Sequence, residues 1–172
     1  MIEKNYSRAL FEIANEEKIL KDIKKELDLL NNYALNDYHF TSFIESKRVL
    51  ISDKINLIKK IITIDLLINF IFLLLRKNRI NNIKVIIENF LELYYKKKNI
   101  IYIEIILAND VDDNFLDDIK TILENKFHKK VILKNIIDEN IIGGFIIKNK
   151  NFIIDLSIYN RLKQLKFLLL NK

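Results

Sequence analysis

Ile100-Ile101-Tyr102-Ile103-Glu104-Ile105-Ile106-Leu107 is the stretch on which the fold turns. Ile101, Ile103, Ile105 and Leu107 alternate with Ile100, Tyr102, Glu104 and Ile106, the two-residue repeat of a strand with one well-buried face. Upstream of it, apolar residues recur at steps of three and four through almost a hundred positions. A helical first part followed by a change of period near Lys98 implies an α+β protein in two parts, residues 1–98 and 99–172. No Gly/Ser linker separates them.

Working back from the strand, Asn81 opens a predicted helix carrying Ile83, Ile86, Ile87, Phe90 and Tyr94. Asp65 is read as the cap of a helix running to about Lys77, and Ser52 as the cap of one carrying Ile55, Leu57, Ile58 and Ile61. A short segment surrounds Phe40, Phe43 and Ile44. Ile19, Ile23, Leu27 and Leu30 mark another helix, and Asn5 is read as the cap of the first, whose apolar side includes Tyr6, Ala9, Leu10, Ile13 and Ala14. Five or six short helices with brief connections describe a six-helix bundle.

Working forward, Asp110, Asp112 and Asp113 open a helix containing Leu116, Ile119, Ile122, Leu123 and Phe127, with Lys126, Lys129 and Lys130 near its end. Charges of these signs suit the two ends of a helix dipole. Val131 to Ile137 reads as a second strand, and Gly143-Gly144 starts a third. Phe152 to Asp155 returns after the turn Asn149-Lys150-Asn151, and Ser157 caps a last helix. The order β-α-β-β-β-α is a small α/β domain.

The composition removes several classes of function. There is no Cys, so disulfides and thiolate metal sites are excluded. The acidic cluster fails as a calcium loop because Phe115 stands where Gly is needed and Thr121 where a chelating Glu must close the shell. His39 and His128 have no ligand-spaced companions. Gly143-Gly144 lacks the spacing of a phosphate loop and precedes a strand. No serine sits in a nucleophile elbow. No catalytic residue, cofactor or metal is therefore expected.

The net charge of +6 is scattered among acids, and Lys96-Lys97-Lys98 closes a helix where cations suit the carbonyl end. The chain holds 34 Ile, 24 Lys and 21 Asn against 4 Ala and 2 Gly, a bias towards AT-rich codons that strips its lysines of much functional meaning. A small basic RNA-binding protein is the rival reading, without an aromatic RNA-binding signature to support it. Ile61 to Leu75 is too short to span a bilayer comfortably and is interrupted by Asp65 and Asn69. No signal peptide is visible.

Three blocks then point to one family. Tyr6-Ser7-Arg8-Ala9-Leu10-Phe11 resembles the Y-A-x-A-L-F opening of the delta subunit of bacterial F-type ATP synthase, known in mitochondria as the oligomycin-sensitivity-conferring protein. Asn69 to Ile80 resembles that family's N-F-L-x-L-L-x-x-N-x-R-L segment. Val131, Leu133, Asp138, Ile141 to Phe145, Ile147, Ile154, Asp155, Ser157, Arg161, Leu162 and Leu165 are similar to its carboxy-terminal signature. Leu156 and Tyr159-Asn160 depart from the family's usual Gly and Arg-Gly.

The resemblance implies a peripheral-stalk connector that couples proton-driven rotation to ATP synthesis without catalysing anything itself. It implies a helical bundle, residues 1–98, binding the amino-terminal segments of the catalytic headpiece's alpha subunits. By position, Tyr6, Ala9, Leu10 and Ile13 on the first helix and Phe70, Leu74 and Lys77 on the fifth match the family's headpiece-facing surface. It implies that residues 99–172 hold the membrane-anchored b subunits, with the stripe Ile158, Leu162, Leu165 and Leu169 as the contact. It implies no nucleic-acid partner, and a peripheral place on the cytoplasmic face of the bacterial inner membrane.

Overall fold

The computed structural model describes residues 2–170, apart from the side chains of residues 34–36. Its elements are α1 (Ile2–Glu16), α2 (Leu20–Asn36), α3 (Tyr38–Glu45), α4 (Ile51–Ile58), α5 (Asp65–Arg76), α6 (Ile83–Lys97), β1 (Ile100–Leu107), α7 (Asp113–Phe127), β2 (Lys130–Ile137), β3 (Phe145–Asn149), β4 (Phe152–Asp155) and α8 (Ile158–Leu170). The fold is α+β, with eight α-helices and one four-stranded mixed sheet among the described residues. The chain divides into two compact units after Tyr94, within α6.

In the first unit, α1 to α6 share one apolar core. Leu10, Ala14, Ile23, Leu27, Leu30, Ile58, Leu67, Ile71, Leu74, Ile86, Ile87 and Phe90 are buried in it. Two polar side chains join helices through that core. Ser7 Oγ on α1 lies 2.8 Å from the Glu3 carbonyl and 2.9 Å from the Ile86 carbonyl of α6, so its single proton can be donated to either. Glu26 on α2 is buried and accepts from the backbone N–H of Thr63 at 2.9 Å, the Thr63 hydroxyl at 2.6 Å and the backbone N–H of Ile64 at 3.2 Å.

Those bonds explain how α5 begins. Its N-cap residue is Ile64, whose side chain can cap nothing. A carboxylate from another helix holds the backbone instead and places negative charge near the positive end of the α5 dipole. Asp65, expected as the cap, is the first helical residue. Asn5 and Ser52, also expected as caps, lie inside α1 and α4, which start at Ile2 and Ile51. α4 stops at Ile58, and Asn81 lies in a 3₁₀ turn, Ile80–Asn82, before α6.

Helix endings reflect the scarcity of glycine. Lys18, Asn78, Asn99 and His128 take the left-handed conformation that Gly usually supplies after a helix. After α5, the N–H of Arg79 donates to the Leu74 carbonyl at 2.8 Å and that of Asn78 to Leu75 at 3.0 Å, the paired bonds of a Schellman ending.

In the second unit the strand order is β2-β1-β3-β4. β1 and β2 are parallel, with α7 as their crossover, while β3 runs antiparallel to both β1 and β4. The face carrying Ile103, Val131 and Ile147 packs with Leu123 of α7, flanked by Ile119 and Phe127. Ile103, Ile105 and Leu107 are buried, as the alternation in β1 requires. Phe127 stacks on Phe152, with ring centroids 5.5 Å apart. β3 starts at Phe145, so Gly143-Gly144 precede it rather than open it.

Candidate functional site

Among the described residues, no three His, Cys, Asp or Glu side chains gather as a metal site. What the structure offers instead is two apolar surfaces.

The first is shared by α1 and α5. Ile2, Tyr6, Ala9 and Ile13 follow one another at steps of four, three and four, which places them on one helical stripe. Leu66, Phe70, Leu73 and Lys77 make the equivalent stripe along α5 and just past its end. Ile2, Ala9, Ile13, Leu73 and Lys77 are exposed; Tyr6, Leu66 and Phe70 are half-buried. The Tyr6 and Phe70 rings join the stripes edge to face, with centroids 6.3 Å apart. The Arg79 guanidinium lies 5.5 Å from the Tyr6 centroid, a cation–π contact. Asn82 Nδ2 donates to the Glu3 carboxylate at 3.0 Å, so the start of α1 lies beside the chain that follows α5. The Glu3 carboxyl is held below the ordinary carboxylate range, first by a backbone hydrogen bond in the opening turn.

Of the residues that the sequence assigns to this surface, Tyr6, Ala9, Ile13, Phe70 and Lys77 sit on it. Leu10 and Leu74 do not: they are 2 % and 0 % exposed and belong to the core. Ile2, Leu66 and Leu73 complete the stripes and were missed. The three-and-four spacing from Tyr6 and Phe70 reaches all of them.

The second surface is α8. Ile158, Tyr159, Leu162, Leu165, Phe167, Leu168, Leu169 and Leu170 are between 47 % and 77 % exposed, and no residue of the helix is buried. Ile158, Leu162, Leu165 and Leu169, the predicted stripe, all lie open. The start of the helix, in contrast, is bolted down. The Ser157 N–H donates to Asp155 Oδ1 at 2.9 Å, and Ser157 Oγ accepts from the Asn160 N–H at 3.2 Å, the cap expected from sequence. The N–H groups of Leu156 and Ile158 donate to the carbonyls of Phe145 at 3.0 Å and Gly143 at 2.9 Å. Gly144 has φ +75°, and a Cβ there would collide with the Leu156 carbonyl. The glycine pair therefore admits the chain that launches α8.

This combination of an open helix and a two-helix apolar surface coincides with a family match. Residues 2–169 match the family described as ATP synthase delta (OSCP) subunit. The chain belongs to that family. The delta/OSCP family is a non-catalytic subunit of ATP synthase, which agrees with a site built for contact. The ATP synthase subunit delta of Mycoplasma mobile is 32 % identical over 172 residues, covering 98 % of this chain and 96 % of that one. The subunit delta of Sulfurihydrogenibium azorense is 33 % identical over 158 residues, covering 90 % of this chain and 87 % of that one. A chain of the Toxoplasma gondii mitochondrial ATP synthase hexamer has the same fold as this chain. Its TM-score is 0.81 at 18 % identity, with 99 % of this chain and 98 % of that one covered.

Proposed function

We propose that this delta/OSCP-family chain is the stator connector of an F-type ATP synthase, joining the catalytic headpiece to the membrane-anchored b subunits. If the headpiece turned with its central shaft, ion flow could not be converted into ATP. The connector must resist that torque without dissociating, which asks for slow release and rigid contacts rather than reactive groups. Two attachment points on one chain add avidity, because release at one leaves the other tethered.

In this reading the amino-terminal six-helix bundle, residues 1–98, takes helical segments of the alpha subunits on the α1/α5 surface. Tyr6, Ala9, Ile13, Phe70 and Lys77 make the contact, supported from the core by Leu10 and Leu74. Residues 99–172 hold the b subunits along Ile158, Leu162, Leu165 and Leu169. The complex carries the chain to the cytoplasmic face of the bacterial inner membrane. No helix among the described residues is long and apolar enough to cross a membrane.

The observation that carries the proposal is α8. No position of this 13-residue helix is buried, so eight large apolar side chains face water, and a partner that covers them removes that cost. The test is to tag the chain in its native cell and identify what copurifies. Alpha and b subunits are expected with the full chain, and alpha without b after truncation following Ser157. Recovery of RNA alone, or of b with the truncated chain, refutes the assignment.

A further inference from the structure

The two stripes of the α1/α5 surface do not end alike. Continuing α1 beyond Ile13 by one more step of three reaches Glu16, and Glu17 follows it. Continuing α5 beyond Leu73 by a step of four reaches Lys77. Arg79, next to it in the chain, already lies over the Tyr6 ring. Because Glu3 bonds Asn82 and Tyr6 meets both Phe70 and Arg79, the cations sit at the end of the surface where α1 begins. Glu16 is ten residues further along α1, about 15 Å away at the rise of an α-helix. Glu16, Glu17 and Lys77 are exposed, and none of the three has an ion pair among the described residues. The apolar floor thus has Glu16 and Glu17 at one end, with Lys18 next in the chain, and Lys77 and Arg79 at the other, where the Glu3 carboxylate is already bonded to Asn82.

We infer that this surface selects the direction of its occupant: an amphipathic helix that seats a carboxylate-bearing half against Lys77 and Arg79 and a cation-bearing half against Glu16 and Glu17. The inference rests on the reading of the surface as the alpha-subunit dock, and adds to it the charge pattern and polarity of the docked helix. The apolar stripes alone would accept such a helix in either direction, since both directions bury the same side chains. Like charges opposed at both ends disfavour one of them. A docked helix that could reverse would place the rest of its subunit on the wrong side, so direction is what a connector has to specify.

The probe is a synthetic peptide of the amino-terminal segment of the alpha subunit from the same organism, titrated into the full-length chain at low and high salt. Lys77→Glu and Glu16→Lys alter exposed side chains outside the core, so both variants keep the fold. Each is expected to weaken binding about fivefold at low salt, with the difference shrinking as salt screens the pairs. A nitroxide on the carboxylate-bearing half of the peptide is expected to broaden the amide resonances of residues 77–80. One on the cation-bearing half is expected to broaden those of residues 13–17. The opposite broadening pattern, charge variants that bind as tightly as the parent, or an alpha segment without separate acidic and basic halves would overturn the inferred polarity while leaving the dock in place. A peptide that leaves the Tyr6 and Phe70 resonances untouched would overturn the dock itself, and the polarity with it.

Discussion

Replacing Glu26 by Ala removes three acceptor contacts at once: to the Thr63 N–H, the Thr63 hydroxyl and the Ile64 N–H, at 2.9, 2.6 and 3.2 Å. Hydrogen bonds to a charged group contribute about 1.5–3 kcal/mol each. Two terms shrink their sum. Thr63 is exposed, so water replaces the carboxylate at its hydroxyl, and removing Glu26 also relieves the desolvation of a buried charge. The two backbone donors and the lost dipole contact then leave a net cost of about 2–4 kcal/mol. That is a large part of the roughly 5–15 kcal/mol that holds a domain folded. Glu26→Gln keeps the volume and one carbonyl acceptor but turns an amide donor towards the Ile64 N–H, and about 1–2 kcal/mol should be lost. Urea unfolding followed by far-UV circular dichroism measures both, and hydrogen exchange at residues 63–68 locates the damage at the start of α5. If Glu26→Ala unfolds within 0.5 kcal/mol of the parent and exchange there is unchanged, the carboxylate does not hold α5, and the account of how that helix begins is wrong.

Gly144→Ala should cost the second unit about 2 kcal/mol or more, because it opposes a positive φ and a backbone carbonyl together. Gly143→Ala should cost under about 1 kcal/mol, since its Cβ would meet the movable side chain of Ile158, with Cδ1 at 2.8 Å; chemical denaturation ranks the two. Leu162→Glu with Leu165→Glu should leave the thermal midpoint within about 2 °C while abolishing b-subunit copurification, because neither side chain is buried. Lys54 is buried, and burial lowers the pKa of its ammonium. With the folded value below the unfolded one, the unfolded chain binds more protons between them, and stability rises with pH through that alkaline window. Lys54→Met should raise the unfolding midpoint by about 3 °C at pH 7 and flatten that rise, as read by thermal melts from pH 7 to 10.

Most of the fold was legible because period survives compositional bias. Ile101, Ile103, Ile105 and Leu107 announce a strand whatever the codon preference, and Ile19, Ile23, Leu27 and Leu30 a helix. The cap at Ser157 was legible because its partner lies three residues away. Glu26 was not: the groups it holds are 37 and 38 residues further on, and no local pattern links a glutamate in one helix to bare amides before another. Asn5 and Ser52 misled for a related reason. Cap residues favour a helix start without compelling one, and packing carried α1 and α4 past them.

The site divided along the same line. A stripe says which residues share a helical face, but only packing says where core ends and surface begins. Leu10 and Leu74 each lie four residues beyond Tyr6 and Phe70, yet that step carries them about 40° round the helix and into the core. In α5, where Leu66, Leu67, Ile68, Phe70, Ile71, Phe72, Leu73, Leu74 and Leu75 are all apolar, no period can separate the two roles. The charged residues at the stripe ends are easier to read. Glu16 and Lys77 are exposed charges that fall at the ends of the α1 and α5 stripes. In a chain this rich in isoleucine, a charge at the end of a stripe is easier to place than the apolar residues within it.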